Sequence, residues 1–173
     1  MDDVVRLQGA LAERDAWRAD HCSIDRALGL VGNRSALLLL REAHYGTRRF
    51  DEFARRVGMT EAAAAERLRG LVEAGLLAKR PYREPGQRTR QEYVLTPAGE
   101  AFLPVLLALM RWGDRWALGG DEPALGLEHL GCGAPVEVEV TCGRGHPVGL
   151  GEVAVRARRE RAGAASEAGP AAP

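Results

Sequence analysis

Two spacings in this 173-residue chain set soft and borderline metal ligands in pairs: His129 and Cys132 as H-x2-C, and Cys142 and His146 as C-x3-H, with nine residues between the pairs. Two such knuckles flanking a pair of strands are how small zinc ribbons bring four ligands onto one tetrahedral ion, and a small β appendage buries too little to be stable without a staple. A structural zinc is therefore the one cofactor that these residues allow. Against it stand an unusual ligand order and the fact that glycine-rich turns containing Cys or His also occur without metal. The third cysteine, Cys22, precedes a run of helical pattern. A helix N-terminus stabilises a thiolate, so Cys22 has the setting of a redox-sensing thiol, with a small buried hydrophobe as the plainer reading. His21 beside it either assists that thiol or is a surface residue. Three cysteines, an odd number, argue against a disulfide framework.

The remaining side chains with chemistry are arginines. The chain as a whole is neutral, with 24 Lys and Arg against 24 Asp and Glu. Between residues 34 and 92, however, thirteen Arg and Lys face eight Asp and Glu, an excess of five positive charges. Clustering on one surface, not the average, decides what a charge distribution attracts. The sequence lacks a phosphate-binding glycine loop, a nucleophile elbow and an HExxH helix, which argues against an enzyme. It also has no apolar run near the roughly 20 residues of a membrane span, and its N-terminus is acidic and amphipathic, so a cytoplasmic protein is expected.

These residues must be positioned by elements that the hydrophobic pattern predicts. Val4, Leu7, Leu11 and Ala12 recur at helical spacing, predicting an amphipathic N-terminal helix over 4–19. A second helix is predicted from Ser23, as N-cap, to Leu30, with Gly32-Asn33 as a break. The four leucines 37–40 predict a helix buried on most sides. RRFDEFARRVG (48–58) predicts a short helix with Phe50, Phe53 and Val57 inward and Gly58 as a left-handed cap. Thr60 caps the next helix, whose inward stripe is Ala64, Leu68, Leu71 and Val72. Two helices joined by a turn of about three residues form a helix-turn-helix. Strands over 76–82 and 91–96 flank a turn at Pro85-Gly86, giving a hairpin with Arg83, Arg88 and Arg90 near its tip. Thr96-Pro97 starts a single long helix to about Leu118. Its apolar residues Leu103, Leu106, Leu107, Met110, Trp112 and Trp116 cover more than one face, so a second subunit is expected against it. Beyond Gly119, alternating runs such as PVEVEVT predict a small β appendage, and AGAASEAGPAAP predicts disorder.

The fold class that follows is mainly α with a small β wing, a winged helix-turn-helix, plus a small C-terminal β appendage. Its expected parts are an N-terminal dimerisation helix (1–21), a DNA-binding and dimerisation domain (22–118), an appendage resembling a zinc ribbon (119–158) and a disordered tail (159–173).

The strings CSIDRALGLVGNRSALLLLREAHYGTRRFDEF, RLRGLVEAGLL, RPY, EYVLTPAGEAFLPVLLAL and WGDRW, in that order over roughly residues 22–116, resemble the HxlR family of bacterial winged helix-turn-helix regulators. The resemblance implies a dimer joined through its terminal helices that binds inverted repeats near promoters. It also places Cys22 where several members carry a cysteine that senses oxidants or electrophiles. Two departures stand out. Ser35 occupies a position where the family usually has Trp, and the reading helix begins with alanines.

Together these readings predict a transcriptional regulator, a repressor, acting as a homodimer on double-stranded DNA and responsive to a redox signal or a small molecule. Arg34, Arg48 and Arg49 would fix its register on phosphates. Thr60, Glu61, Ala62, Ala63 and Arg67 would meet the major groove, the two alanines offering no more than contact with a thymine methyl. Arg83, Arg88 and Arg90 suit an adjacent minor groove. Two-fold symmetry would place two reading helices about 34 Å apart on a palindromic operator. Two alternatives stay open: a metal- or redox-responsive sensor signalling through the appendage, and a protein-interaction module of winged-helix fold with weak DNA specificity.

Overall fold

The computed structural model describes residues 5–13 and 22–156. In chain order its elements are β1 (Arg6–Gln8), α1 (Ser23–Val31), α2 (Arg34–His44), α3 (Phe50–Val57), α4 (Glu61–Glu73), β2 (Leu77–Tyr82), β3 (Arg90–Leu95), α5 (Pro97–Glu100), α6 (Leu103–Trp116) and β4 (Ala154–Arg156). Short 3-10 turns lie at Gly9–Ala12 and Leu150–Glu152. The described residues fall into two compact units, 22–138 in one and 5–13 with 139–156 in the other. Among them no helix is long and apolar enough to cross a membrane.

The larger unit is a winged helix-turn-helix. Its core is centred on Leu39, Leu40, Phe53, Leu68, Leu71 and Leu77, all fully buried. On α4, burial at Ala64, Leu68 and Leu71 follows the i, i+4, i+7 rule that the sequence shows. On α2 only Leu39 and Leu40 of the leucine run are buried, while Leu37 and Leu38 are half-buried. The tight turn between α3 and α4 depends on Gly58, at φ +68° and ψ 45°, where a side chain would be strained. Asn33 caps α2 by accepting the Ala36 N–H at 2.8 Å. Asn33→Ala is expected to cost about 1 kcal/mol of stability. A urea midpoint unchanged from that of the parent would remove this role.

β2 and β3 pair antiparallel in the register Leu77↔Leu95 to Tyr82↔Arg90. Arg80 opposes Glu92, and its Nε donates to Glu92 Oε1 at 2.7 Å, so the buried carboxylate is matched. The hairpin is tied to the helices at two points. Tyr93 N–H donates to the Arg48 carbonyl at 2.9 Å, and the Tyr93 ring meets Phe53 edge-on with centroids 6.0 Å apart. At the other end Thr96 Oγ1 donates to the Gly75 carbonyl at 2.5 Å and accepts from Gly99 N–H at 3.1 Å. Gly99 is compulsory there, because a Cβ would stand 2.1 Å from the Leu76 carbonyl oxygen.

Several sequence expectations are corrected. The long helix predicted over 97–118 is two helices, with the break before Leu103–Pro104. Proline lacks an N–H and its ring clashes with the carbonyl four residues back, so the chain restarts with Pro104 in the first turn of α6. The cap of α1 is Cys22, with Ser23 already helical. In the described part of 4–19 the chain forms a strand and a 3-10 turn instead of a helix, because Arg6, Leu7 and Gln8 pair in parallel with Ala154, Val155 and Arg156. That partner lies almost 150 residues away, so local periodicity carries no signal of it. Residues 14–19, His21 and the tail over 159–173 lie outside the described residues. PVEVEVT forms no regular strand. It is flanked by two isolated bridges, Glu128↔Pro135 and Thr141↔Pro147, since alternation makes a ladder only where a neighbouring strand runs alongside.

Candidate nucleic-acid interface

The turn after α3 leads into α4 with Thr60 as N-cap, its Oγ1 accepting from Ala63 N–H at 3.3 Å. With Ala64, Leu68 and Leu71 turned into the core, the opposite side of α4 presents Ala62, Glu66, Arg69 and Glu73, all exposed. Glu61 is exposed beside them and Ala63 is half-buried. Arg67, also exposed, pairs with Glu66 at 3.6 Å, and both line a cleft with Gly29 and Leu30 of α1, while Arg69 lies on the side of α4 opposite the core. Arg69 is not among the residues that the sequence pattern suggested for the groove. Its signal was available, since residue 69 lies seven positions, two helical turns, after Ala62.

The three basic residues that precede α3 or open α2 have different settings. Arg34 is the first residue of α2 and exposed, and Arg48 is exposed with its carbonyl held by Tyr93. Arg49 is half-buried: its guanidinium lies 3.3 Å from the Tyr82 ring centroid and its Nη2 donates to Glu84 Oε1 at 3.0 Å. Its buried Nη1 has no hydrogen-bond partner. Arg49 thus braces the tip end of the wing, at Tyr82 and Glu84, against the start of α3, a role that sequence alone did not suggest. The wing tip turns at Pro85-Gly86, where Gln87 N–H returns to the Glu84 carbonyl at 3.0 Å. Arg83 donates from Nε to the Gln87 carbonyl at 3.1 Å, while Arg88 and Arg90 are exposed. An exposed helix face, a capped helix N-terminus and a basic hairpin can together engage a phosphate backbone and a groove.

The cysteines lie apart from this surface in sequence. Cys22 is half-buried at the N-cap of α1, without a side-chain capping bond. In the larger unit, His129 Nδ1 lies 3.2 Å from Cys132 Sγ on one tight turn. In the smaller unit, Cys142 and His146 share another, with Cys142 N–H donating to the His146 carbonyl at 2.9 Å. Among the described residues no group of three or more His, Cys, Asp or Glu side chains is placed to hold a metal ion. Cys142 is fully exposed, and the backbone N–H groups of Arg144 and His146 hold its thiol below the ordinary range. A group whose pKa is lowered is deprotonated at a lower pH. Alkylation of Cys142 by iodoacetamide, followed by peptide mass spectrometry, is therefore expected to reach half its limiting rate at lower pH than a model thiol. An identical midpoint would contradict the assignment.

Comparison with known proteins is consistent with this geometry. The family model for HxlR-like helix-turn-helix proteins matches residues 30–120. An HTH-type transcriptional regulator of Mycobacterium tuberculosis is 41% identical over 120 residues, which are 69% of this chain and 75% of the relative. Among solved structures, PA1607, a candidate transcription factor, superposes with a TM-score of 0.71 at 32% identity, covering 82% of this chain and 96% of the other. PA1374 of Pseudomonas aeruginosa, described in the same terms, does so with a TM-score of 0.57 at 38% identity, covering 84% and 96%. By sequence and by fold, the chain belongs to the HxlR-like helix-turn-helix family of transcriptional regulators.

Proposed function

We propose that this regulator is a repressor that binds a palindromic operator as a homodimer, acting by occupancy of DNA and not by catalysis. The observation that carries the dimer is apolar surface left uncovered within one chain. On α1, Ile24, Leu28 and Leu30 are more than half exposed, and α6 buries none of its residues while exposing Val105, Leu109, Trp112 and Trp116. Large apolar side chains left uncovered on two helices mark a surface that a partner covers. Two copies joined through α1 and α6 would present two α4 helices to successive major grooves, with Ala62, Glu66 and Arg69 nearest the bases and Arg83, Arg88 and Arg90 reaching the flanking groove.

In this reading α4 offers few groups that discriminate bases. Ala62 can touch a thymine methyl, Arg69 can pair with guanine, and Glu66 can accept from cytosine. Groove shape and phosphate positioning then supply much of the recognition. The test is a footprint on the DNA upstream of the chain's own coding region, alongside sedimentation equilibrium. Two protected half-sites one helical turn apart, bound by a species of twice the chain mass, are expected. Binding without preference over random DNA at physiological salt would defeat the repressor reading, and a monomer at micromolar concentration would defeat the dimer.

A further inference from the structure

Two consecutive residues before α3 hold the wing at separate places. The Arg48 carbonyl accepts the Tyr93 N–H at 2.9 Å, midway along β3. The Arg49 side chain reaches the far end of the hairpin, where its guanidinium lies 3.3 Å from the Tyr82 ring centroid and Nη2 donates to Glu84 Oε1 at 3.0 Å. Tyr82 is the last residue of β2 and stands opposite Arg90. Beyond that pair the chain turns through residues 83–89, which carry Arg83 and Arg88. A two-stranded hairpin by itself is marginally stable in water, so the direction of its tip depends on what ties it down. Among the described residues, Arg49 Nη2 is the only side-chain donor outside the hairpin that bonds into 83–89.

The same contacts leave Arg49 little to offer a phosphate. The Tyr82 ring covers one face of the guanidinium, Nη2 is spent on Glu84, and Nη1 is buried. To meet DNA directly the side chain would have to leave both partners. Lysine could not take its place, because stacking on a ring while donating in a fixed direction needs the planar guanidinium.

We propose that Arg49 is a positioning residue for DNA binding, which acts through the wing by holding Arg83, Arg88 and Arg90 at the groove and touches no phosphate itself. The proposal rests on the reading that the wing meets DNA. Without Arg49 the three arginines remain on the chain, but an untied tip must be ordered each time it binds, and that entropy is set against the contacts it makes. Three contacts per subunit then depend on a side chain that makes none.

The experiment measures binding to a short random-sequence duplex by fluorescence anisotropy across a salt series, so that no operator need be known. The full-length chains compared are the parent, Arg49→Ala, the triple change of Arg83, Arg88 and Arg90 to alanine, and the combination of all four. A direct contact from each subunit of a dimer would make Arg49→Ala lower the salt slope by about two, at about 0.9 per contact, and equally so in the triple background. A positioning residue lowers the slope by about three to five in the parent and by nothing further once the wing arginines are gone, because effects that pass through the same group do not add. Arg49→Lys, which keeps the charge, should behave like Arg49→Ala. Partial unfolding scales the affinity by one factor at every salt concentration and leaves the slope alone, so it does not imitate these results. Additive loss in the fourfold variant, or the parent's slope in Arg49→Lys, would overturn the proposal. A triple variant with the parent's slope sinks the wing reading and this proposal with it, whereas a lowered slope in the triple variant with additive loss at Arg49 sinks this proposal alone.

Discussion

Replacing Arg83, Arg88 and Arg90 together by alanine is expected to flatten the salt dependence of operator binding. Each arginine that neutralises a phosphate or sits in a groove releases counterions, so affinity falls with log salt at a slope of about 0.9 per contact. A parent dimer with six to ten such contacts should lose roughly 10³- to 10⁵-fold in affinity between about 50 and 200 mM salt. Removing three arginines from each subunit should lower that slope by about five. The change should be similar for good and poor operators, because contacts of this class position the protein without reading bases. Arg88 and Arg90 are exposed, and among the described residues their side chains form no hydrogen bond or ion pair, while Arg83 gives up one bond to the Gln87 carbonyl. The variant should therefore melt like the parent. Measurement is by fluorescence anisotropy across a salt series, and a slope equal to the parent's would mean that the wing does not touch DNA.

Phe53→Ala is expected to give the largest loss of stability of any single change considered, about 3–5 kcal/mol. Phe53 is fully buried, belongs to the first helix of the helix-turn-helix, and meets Tyr93 of the wing edge-on. Its removal opens a cavity at the junction of α3, α4 and the hairpin, and also removes an aromatic pair. Domains of this size are stable by only about 5–15 kcal/mol, so the variant should be largely destabilised at physiological temperature. Denaturant unfolding reads the effect. A loss below about 1 kcal/mol would show that the surrounding core closes over the gap and that Phe53 is not central to holding the wing.

The two predictions concern parts of the molecule that were unequally legible. The inward stripes of α3 and α4, the Gly58 cap and the Pro85-Gly86 turn are local features. Their determinants lie within one or two turns of chain, and the sequence displays them directly. The outer face of α4 is readable from the same periodicity, which places Arg69 on it beside Ala62 and Glu66. The role of Arg49 was not readable. Its bracing contact joins residue 49 to residues 82 and 84, and only the path of the wing brings them together.

By itself, the sequence determined the helix-turn-helix, the wing and the family, because each follows from short-range periodicity, caps and turn residues that act over a few positions. Tertiary structure decided the rest. It joined Arg6–Gln8 to Ala154–Arg156, where a helix had been expected, since strand pairing is stabilised by a partner that can lie anywhere in the chain. It also set the Arg49 guanidinium against the Tyr82 ring and left Trp112 and Trp116 uncovered. Hydrophobic residues announce that they will be buried, but what buries them depends on which surfaces meet, and that is a property of the folded chain.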